Sequence, residues 1–179
     1  MSSKVVLDGP DIARTIVRIA HQVVEQTEGN DIAIVGIHRR GAVLARRLAA
    51  QVSELVGQEI PLGELDISFY RDDVAMRDPA HQPIVHASKI DFPIDGMTLI
   101  LVDDVLYTGR TVRSAIDALF DYGRPKRVQL AVLADRGHRE LPIRPDYVGK
   151  NLPTSRGERI AVHLAEIDGV DEVVLEEVR

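Results

Sequence analysis

Two adjacent carboxylates at the end of an apolar run are the chemistry-bearing feature of this chain. In the segment LILVDDVLYTGRTVRSA, residues 99–115, Asp103 and Asp104 close the run, and Tyr107, Thr108, Gly109, Arg110 and Thr111 form a turn that leads into a helical pattern. In open α/β sheets, ligands bind outside the carboxyl ends of strands. A following helix start offers unpaired N–H groups and a partial positive charge. Gly109 allows close backbone approach. The threonine hydroxyls and the arginine add donors, which together make a phosphate site. A pocket for an anion alone would avoid two acids. A sugar phosphate accounts for both groups, with donors for the phosphate and carboxylates for ribose hydroxyls. Carboxylates there would also stabilise positive charge on a ribose ring. Solvated loop acids would not call for a buried strand, a threonine–glycine turn and a helix start in succession.

Other phosphate motifs are excluded. Gly36 and Gly41 have the glycine spacing of a nucleotide-triphosphate loop, but Ala42-Val43 follow where Lys-Ser/Thr is needed. No G-x-G-x-x-G occurs. His38, His81, His86, His138 and His163 show no metal-ligand spacing, and with no cysteine there is no thiolate site, disulfide or cysteine nucleophile.

The elements that must hold the acid pair follow from periodicity. Ile12, Ile16, Ile19 and Val23 predict a helix over 10–28, with Pro10 at its start and Gly29 after its end. A strand is expected at 31–37, a helix at 42–56 and a strand at 60–70. Residues 71–95 break the pattern with Pro79, Pro83 and Pro93; a connection of this length is functional or disordered. The apolar run 97–102 suits a strand buried on both faces of a parallel sheet. A helix over 111–121, a strand over 127–134 and short strands at 159–164 and 172–178 complete the pattern. The expected fold is α/β, a mainly parallel central sheet flanked by helices. With no repeat and no linker, residues 1–179 are expected to form one domain.

The chain has 179 residues, 45% of them apolar, only 4% aromatic and no Trp, so the core must be aliphatic. No apolar run reaches the length of a membrane helix, and Met1-Ser2-Ser3-Lys4 leads into no signal-like stretch, so a cytoplasmic protein without membrane contact is expected. The net charge of −6 argues against non-specific nucleic-acid binding. The charge is uneven, however. Residues 124–159 hold nine Lys or Arg against four Asp or Glu, and the last fourteen residues hold six acids and one base, Arg179.

At residues 102–115 the sequence resembles the phosphoribosyl diphosphate (PRPP) motif of the phosphoribosyltransferases. Over about residues 10–175 it is similar to one branch of that family, the bifunctional regulators of pyrimidine-operon attenuation that carry uracil phosphoribosyltransferase activity. The matching stretches are RIAHQVVE (18–25), LDISFYRDD (65–73), VDDVLYTGRTVRSA (102–115) and GRPKRVQLAVLADRGHRELPIRPDYVGKNLPTS (123–155).

The resemblance implies a phosphoribosyltransferase-like fold with a small hood built from segments outside the core. It implies pentosyl transfer from PRPP to uracil, giving UMP. Asp103 and Asp104 would hold ribose hydroxyls, with Asp103 near a Mg²⁺ carried by the diphosphate. Tyr107 to Thr111 would grip the 5′-phosphate, and His38, Arg39, Arg40 and Gly41 would form the diphosphate loop. Arg39 stands where the family usually has threonine. Residues 71–95 would be a mobile active-site loop, with Arg71 and Arg77 reaching the diphosphate. The base would lie near Asp135 and Arg136. The resemblance further implies binding of pyrimidine-operon leader mRNA, promoted by UMP or UTP, through Arg18, His21, Arg139, Arg144, Lys150 and Arg156, in a homodimer or homotetramer. Gly157 replaces a serine of the family's pattern. By themselves, two residues on a helix and scattered arginines also describe an ordinary solvated surface. A regulator that keeps the site only as a nucleotide sensor, and a phosphoribosyltransferase for another base, stay open as alternatives.

Overall fold

The computed structural model describes residues 3–68 and 88–178. Arg71, Arg77, His81, His86 and the 71–87 part of the expected active-site loop lie outside the described residues. In chain order the elements are β1 (Ser3–Leu7), α1 (Gly9–Thr27), β2 (Ile32–Ile37), α2 (Arg40–Val56), β3 (Leu62–Leu65), β4 (Thr98–Leu106), α3 (Arg110–Leu119), β5 (Arg127–Asp135), β6 (Tyr147–Asn151), β7 (Glu158–His163), α4 (Ala165–Asp168) and β8 (Glu172–Glu177).

A five-stranded sheet in the order β3-β2-β4-β5-β6 forms the centre, and all its pairings are parallel. Alternate residues of its strands feed two cores. Ile32, Ile34, Ile100, Val102, Ala131 and Leu133 face α1 and α2. Ala33, Val35, Leu99, Leu101, Leu130 and Val132 face the α3 side, with Val112, Ala115 and Leu119. Strands buried on both faces read as continuous apolar runs, and the sequence shows such runs here.

A second sheet, antiparallel in the order β1-β8-β7, contributes Leu7, Val162 and Val173 to the α1/α2 core, and Leu164 joins them from the start of α4. It is built from the two ends of the described chain, as the expected hood requires.

α1 starts where the sequence places it. Asp8 Oδ1 accepts from Asp11 N–H at 2.8 Å, Asp11 Oδ2 accepts from Asp8 N–H at 3.2 Å, and Pro10 occupies the first turn.

Two boundaries differ most from expectation. β4 runs four residues past Val102, because β5 continues to pair with it as far as Leu106↔Asp135. A ladder partner overrides the polar side chains that end the apolar run. β3 stops at Leu65, short of the expected 60–70. Strands β1 and β6 and the four-residue α4 were not anticipated. β1 and β6 lie at sheet edges, paired on one side only, and neither carries a run of buried residues.

Candidate functional site

The acid pair lies within β4, near its carboxyl end, and its geometry is set by local hydrogen bonds. Asp104 N–H donates to Asp103 Oδ1 at 2.9 Å, and Val105 N–H donates to Asp104 Oδ1 at 2.8 Å. Asp103 is buried. Burial pushes the Asp104 carboxyl above its ordinary value, against the opposing pull of the Val105 N–H, Asp103 and the Arg40 charge.

Two cavities adjoin Asp103, and Asp104 lines one of them. One, of about 210 Å³, is lined by Asp103 and by Val105 through Val112. The other, of about 240 Å³, is lined by Ile37 to Arg40, Asp66 to Ser68, Asp103 to Val105, and Thr111. Asp103, Val105 and Thr111 line both. The paired cavities suit an elongated ligand with anionic groups at its ends and hydroxyls between them.

The first cavity is formed by the turn that the sequence reading expects to hold a phosphate. Gly109 takes φ 93° immediately before α3, a conformation that favours glycine. No side chain caps the helix start, so the N–H groups of Thr111 and Val112 remain for a ligand. Thr108 Oγ1 accepts from Arg110 N–H at 3.3 Å. A neighbouring segment braces the turn. Glu140 and Leu141 N–H donate to Thr108 O at 3.0 and 3.1 Å. The Arg110 side chain pairs with Glu140 at 2.7 Å, an exposed contact.

The second cavity is lined by the loop that the sequence reading expects to hold a diphosphate. Gly36 and Gly41, whose spacing mimics a nucleotide loop, are packing glycines. A Cβ on Gly36 would meet Ala42 Cα at 2.5 Å, and one on Gly41 would meet Val102 O at 2.5 Å and Asp103 Oδ1 at 3.4 Å. The absence of both Cβ atoms lets α2 start against the ends of β2 and β4. The His38–Arg39 peptide is cis. Arg39, the departure from the family pattern, is exposed and makes no hydrogen bond or ion pair among the described residues. Arg40 is held by Asp168 Oδ1 at 2.8 Å.

Asp66 and Ser68 also line this cavity, and neither was singled out from the sequence. Asp66 Oδ1 accepts from Ser68 N–H at 2.9 Å. The only signal was their position in the stretch LDISFYRDD, just after a strand.

Asp135 and Arg136 lie where β5 ends beside β4, but both are committed to protein partners. Asp135 accepts from Arg139 at 2.5 Å and from Gly137 N–H at 3.0 Å. Arg136 is buried and donates to Thr154 Oγ1 at 3.1 Å and Glu158 O at 2.7 Å. Its guanidinium lies under the ring of Tyr107, which His138 meets edge-on at 6.0 Å. Sequence reasoning did not see this stack.

The residues expected to bind RNA separate into three kinds. Arg18 and His21 are exposed on α1, and Arg18 donates to Gly149 O at 2.6 Å and Val148 O at 3.3 Å, beside exposed Lys150 on β6. Arg144 and Arg156 are exposed on loops. Arg139 turns inward, donating to Tyr107 O and Ile143 O, each at 2.9 Å.

The phosphoribosyl transferase domain matches residues 2–166. "Bifunctional protein PyrR" of Roseiflexus sp. (strain RS-1) is 61% identical over 170 residues, covering 94% of this chain and 92% of that one. The protein of the same name from Halalkalibacterium halodurans is 51% identical, covering 98% of each. Among solved structures, a hypoxanthine-guanine phosphoribosyltransferase from Bacillus anthracis superposes with a TM-score of 0.74 at 18% identity, covering 98% of each chain. The hypoxanthine phosphoribosyltransferase of Trypanosoma cruzi with its product IMP gives 0.73 at 14% identity, covering 97% of this chain and 90% of that one. At such identities the superpositions speak for the fold alone. With a domain match over most of its length and relatives more than half identical across nearly all of it, this chain belongs to the phosphoribosyl transferase family, in the group of bifunctional PyrR proteins.

Proposed function

We propose that this protein transfers the phosphoribosyl group of PRPP to uracil, forming UMP and diphosphate, and that with uridine nucleotide bound it attenuates transcription by binding pyrimidine-operon leader mRNA. The observation that carries the catalytic part is the pair of cavities that share Asp103 on the end of β4. The name of the near-full-length relatives supports the second role.

In the reaction the ring nitrogen of uracil forms a bond to the anomeric carbon while the bond from that carbon to the diphosphate oxygen breaks. The nitrogen's proton is released, and the electron pair leaves with the diphosphate. The α3 start and Thr108 to Thr111, with Tyr107 at the edge, hold the 5′-phosphate. Asp103 and Asp104 accept from the ribose hydroxyls and stabilise positive charge on the ring. His38 to Gly41 hold the diphosphate, and Arg71, outside the described residues, is proposed to join them. The uracil lies toward Asp135 and Arg136. Holding both reactants in line supplies much of the rate without a covalent intermediate.

Among the described residues no cluster of three or more His, Asp or Glu is placed to hold a metal alone. Asp103 would lie near a Mg²⁺ carried by the diphosphate, and such an ion would neutralise charge on the leaving group. For RNA, Arg18, His21, Lys150, Arg144 and Arg156 are proposed as phosphate contacts, with Arg139 bracing the loop beneath them. No described helix is long and apolar enough to cross a membrane. A cytoplasmic homodimer or homotetramer is proposed.

The test is UMP formation from uracil, PRPP and Mg²⁺, run beside hypoxanthine and orotate. A protein that binds UMP but forms none is a sensor rather than an enzyme. The RNA role fails if a pyrimidine leader hairpin binds no tighter than an unrelated hairpin at equal salt and saturating UMP.

A further inference from the structure

The acidic C-terminal segment is built onto α2 rather than left in solvent. Arg47 makes a two-sided pair, donating to both oxygens of Glu166, through Nε at 2.9 Å and through Nη2, and to both oxygens of Asp171, at 2.8 and 2.9 Å. Seven residues earlier on the same helix, Arg40 Nη2 donates to Asp168 Oδ1 at 2.8 Å. The other oxygen of Asp168 accepts from Leu164 N–H at 2.9 Å, so the carboxylate is fixed from its own backbone. Asp171 Oδ1 likewise accepts from Ala165 N–H at 2.7 Å. The α4 segment is thus a rigid bracket, anchored by Arg47 independently of Arg40.

Arg40 is the residue on which the bracket acts at the site. It lines the second cavity and its charge bears on Asp104. Its Nε is buried without a hydrogen bond, and its Nη2 belongs to Asp168. Among the described residues the remaining nitrogen, Nη1, makes no hydrogen bond, and the side chain is a third exposed, at 33%. An arginine at a helix start with one partly exposed face would otherwise sample several rotamers.

We infer that Asp168 is a positioning residue for the diphosphate end of the site: it holds the Arg40 guanidinium at the cavity with Nη1 turned to the ligand. This rests on the proposed reading of that cavity as the diphosphate subsite. Asp168 touches no ligand itself; it acts through Arg40, across 128 positions of sequence.

The test uses the full chain with Asp168→Asn, Arg40→Gln and the double variant. Binding of magnesium diphosphate and of UMP is measured by calorimetry, and KM is measured for PRPP and for uracil. Asp168→Asn is expected to weaken diphosphate binding and raise the KM for PRPP about tenfold, while UMP affinity and the KM for uracil stay within about twofold. Added to Arg40→Gln, it should cost nothing further, because both changes remove one interaction. The inference is overturned if diphosphate and UMP weaken equally, if diphosphate binds unchanged or tighter, or if the two losses add. Calorimetry does not require turnover. A wild-type protein that binds no diphosphate removes the subsite reading and Asp168 with it, whereas a wild type that binds and an Asp168→Asn that binds equally removes Asp168 alone.

Discussion

The guanidinium carbon of Arg136 lies 4.0 Å from the centre of the Tyr107 ring. Tyr107 is exposed and lines the first cavity, and Arg136 beneath it is buried and bonded to Thr154 Oγ1 and to Glu158 O at the start of β7. One side chain therefore ties the turn before α3 to the segment that carries Arg156. Arg136→Ala removes the cation under the ring and two hydrogen bonds from a charged donor. It is expected to cost about 3 kcal/mol in urea unfolding, and to weaken UMP binding by freeing Tyr107. Unchanged stability would mean that water replaces both bonds.

Asp104 sets function against stability. Burial raises its pKa, so the ionised form costs the fold. The contribution is favourable at low pH and is lost as pH rises through the raised value. At neutral pH Asp104→Asn should therefore keep or raise the melting temperature of the ligand-free protein. UMP formation should fall by about a hundredfold or more, because a neutral amide cannot stabilise the ribose cation. Retained turnover would remove Asp104 from the mechanism.

Gly41 and Gly57 separate packing from backbone conformation. A Cβ at Gly41 meets Val102 O at 2.5 Å and presses on Asp103, with no flexible neighbour to yield. Gly41→Ala is expected to cost about 1–3 kcal/mol and to abolish activity, because α2 must move off β4. Gly57 sits at φ 72° with nothing within 4 Å. Gly57→Ala should cost about 1 kcal/mol from the left-handed backbone and leave UMP formation intact. Parallel melts and assays of the two variants check both.

The Arg47 bracket predicts an acid limb. Hydrogen bonds from Arg47 hold the Glu166 and Asp171 carboxyls below their ordinary values, and the Leu164 N–H followed by Arg40 does the same for Asp168. Depressed values contribute stability that is fully present above the unfolded carboxylate range and lost as pH falls through the folded values. The bracket's contribution should be flat above about pH 5 and fall below about pH 4. Arg47→Gln should flatten that fall. Because the bracket joins the small sheet to α2 and both share one core, unfolding should proceed in one transition; two transitions by far-UV circular dichroism would argue for separable units.

The alternation of strands and helices and the site's central loop are both legible in local sequence. A strand buried on both faces must be apolar at every position, and a helix packed on one side must repeat every three or four residues, so both leave local marks. The turn at Gly109 and the acid pair are likewise contiguous, and every group that the phosphate and ribose reading needed lies within 99–115. Tertiary structure alone decided what long-range pairing controls. β4 extends through the acid pair because β5 offers it a ladder. The edge strands β1 and β6 exist because β8 and β5 need partners. Five of the tail's six acids pair with Arg40, Arg47, Arg159 and His163. Partners such as Arg47 and Asp171, 124 residues apart, carry no mark in their neighbours that names each other. A side chain records locally that it is charged, and only the folded chain decides which opposite charge comes within reach.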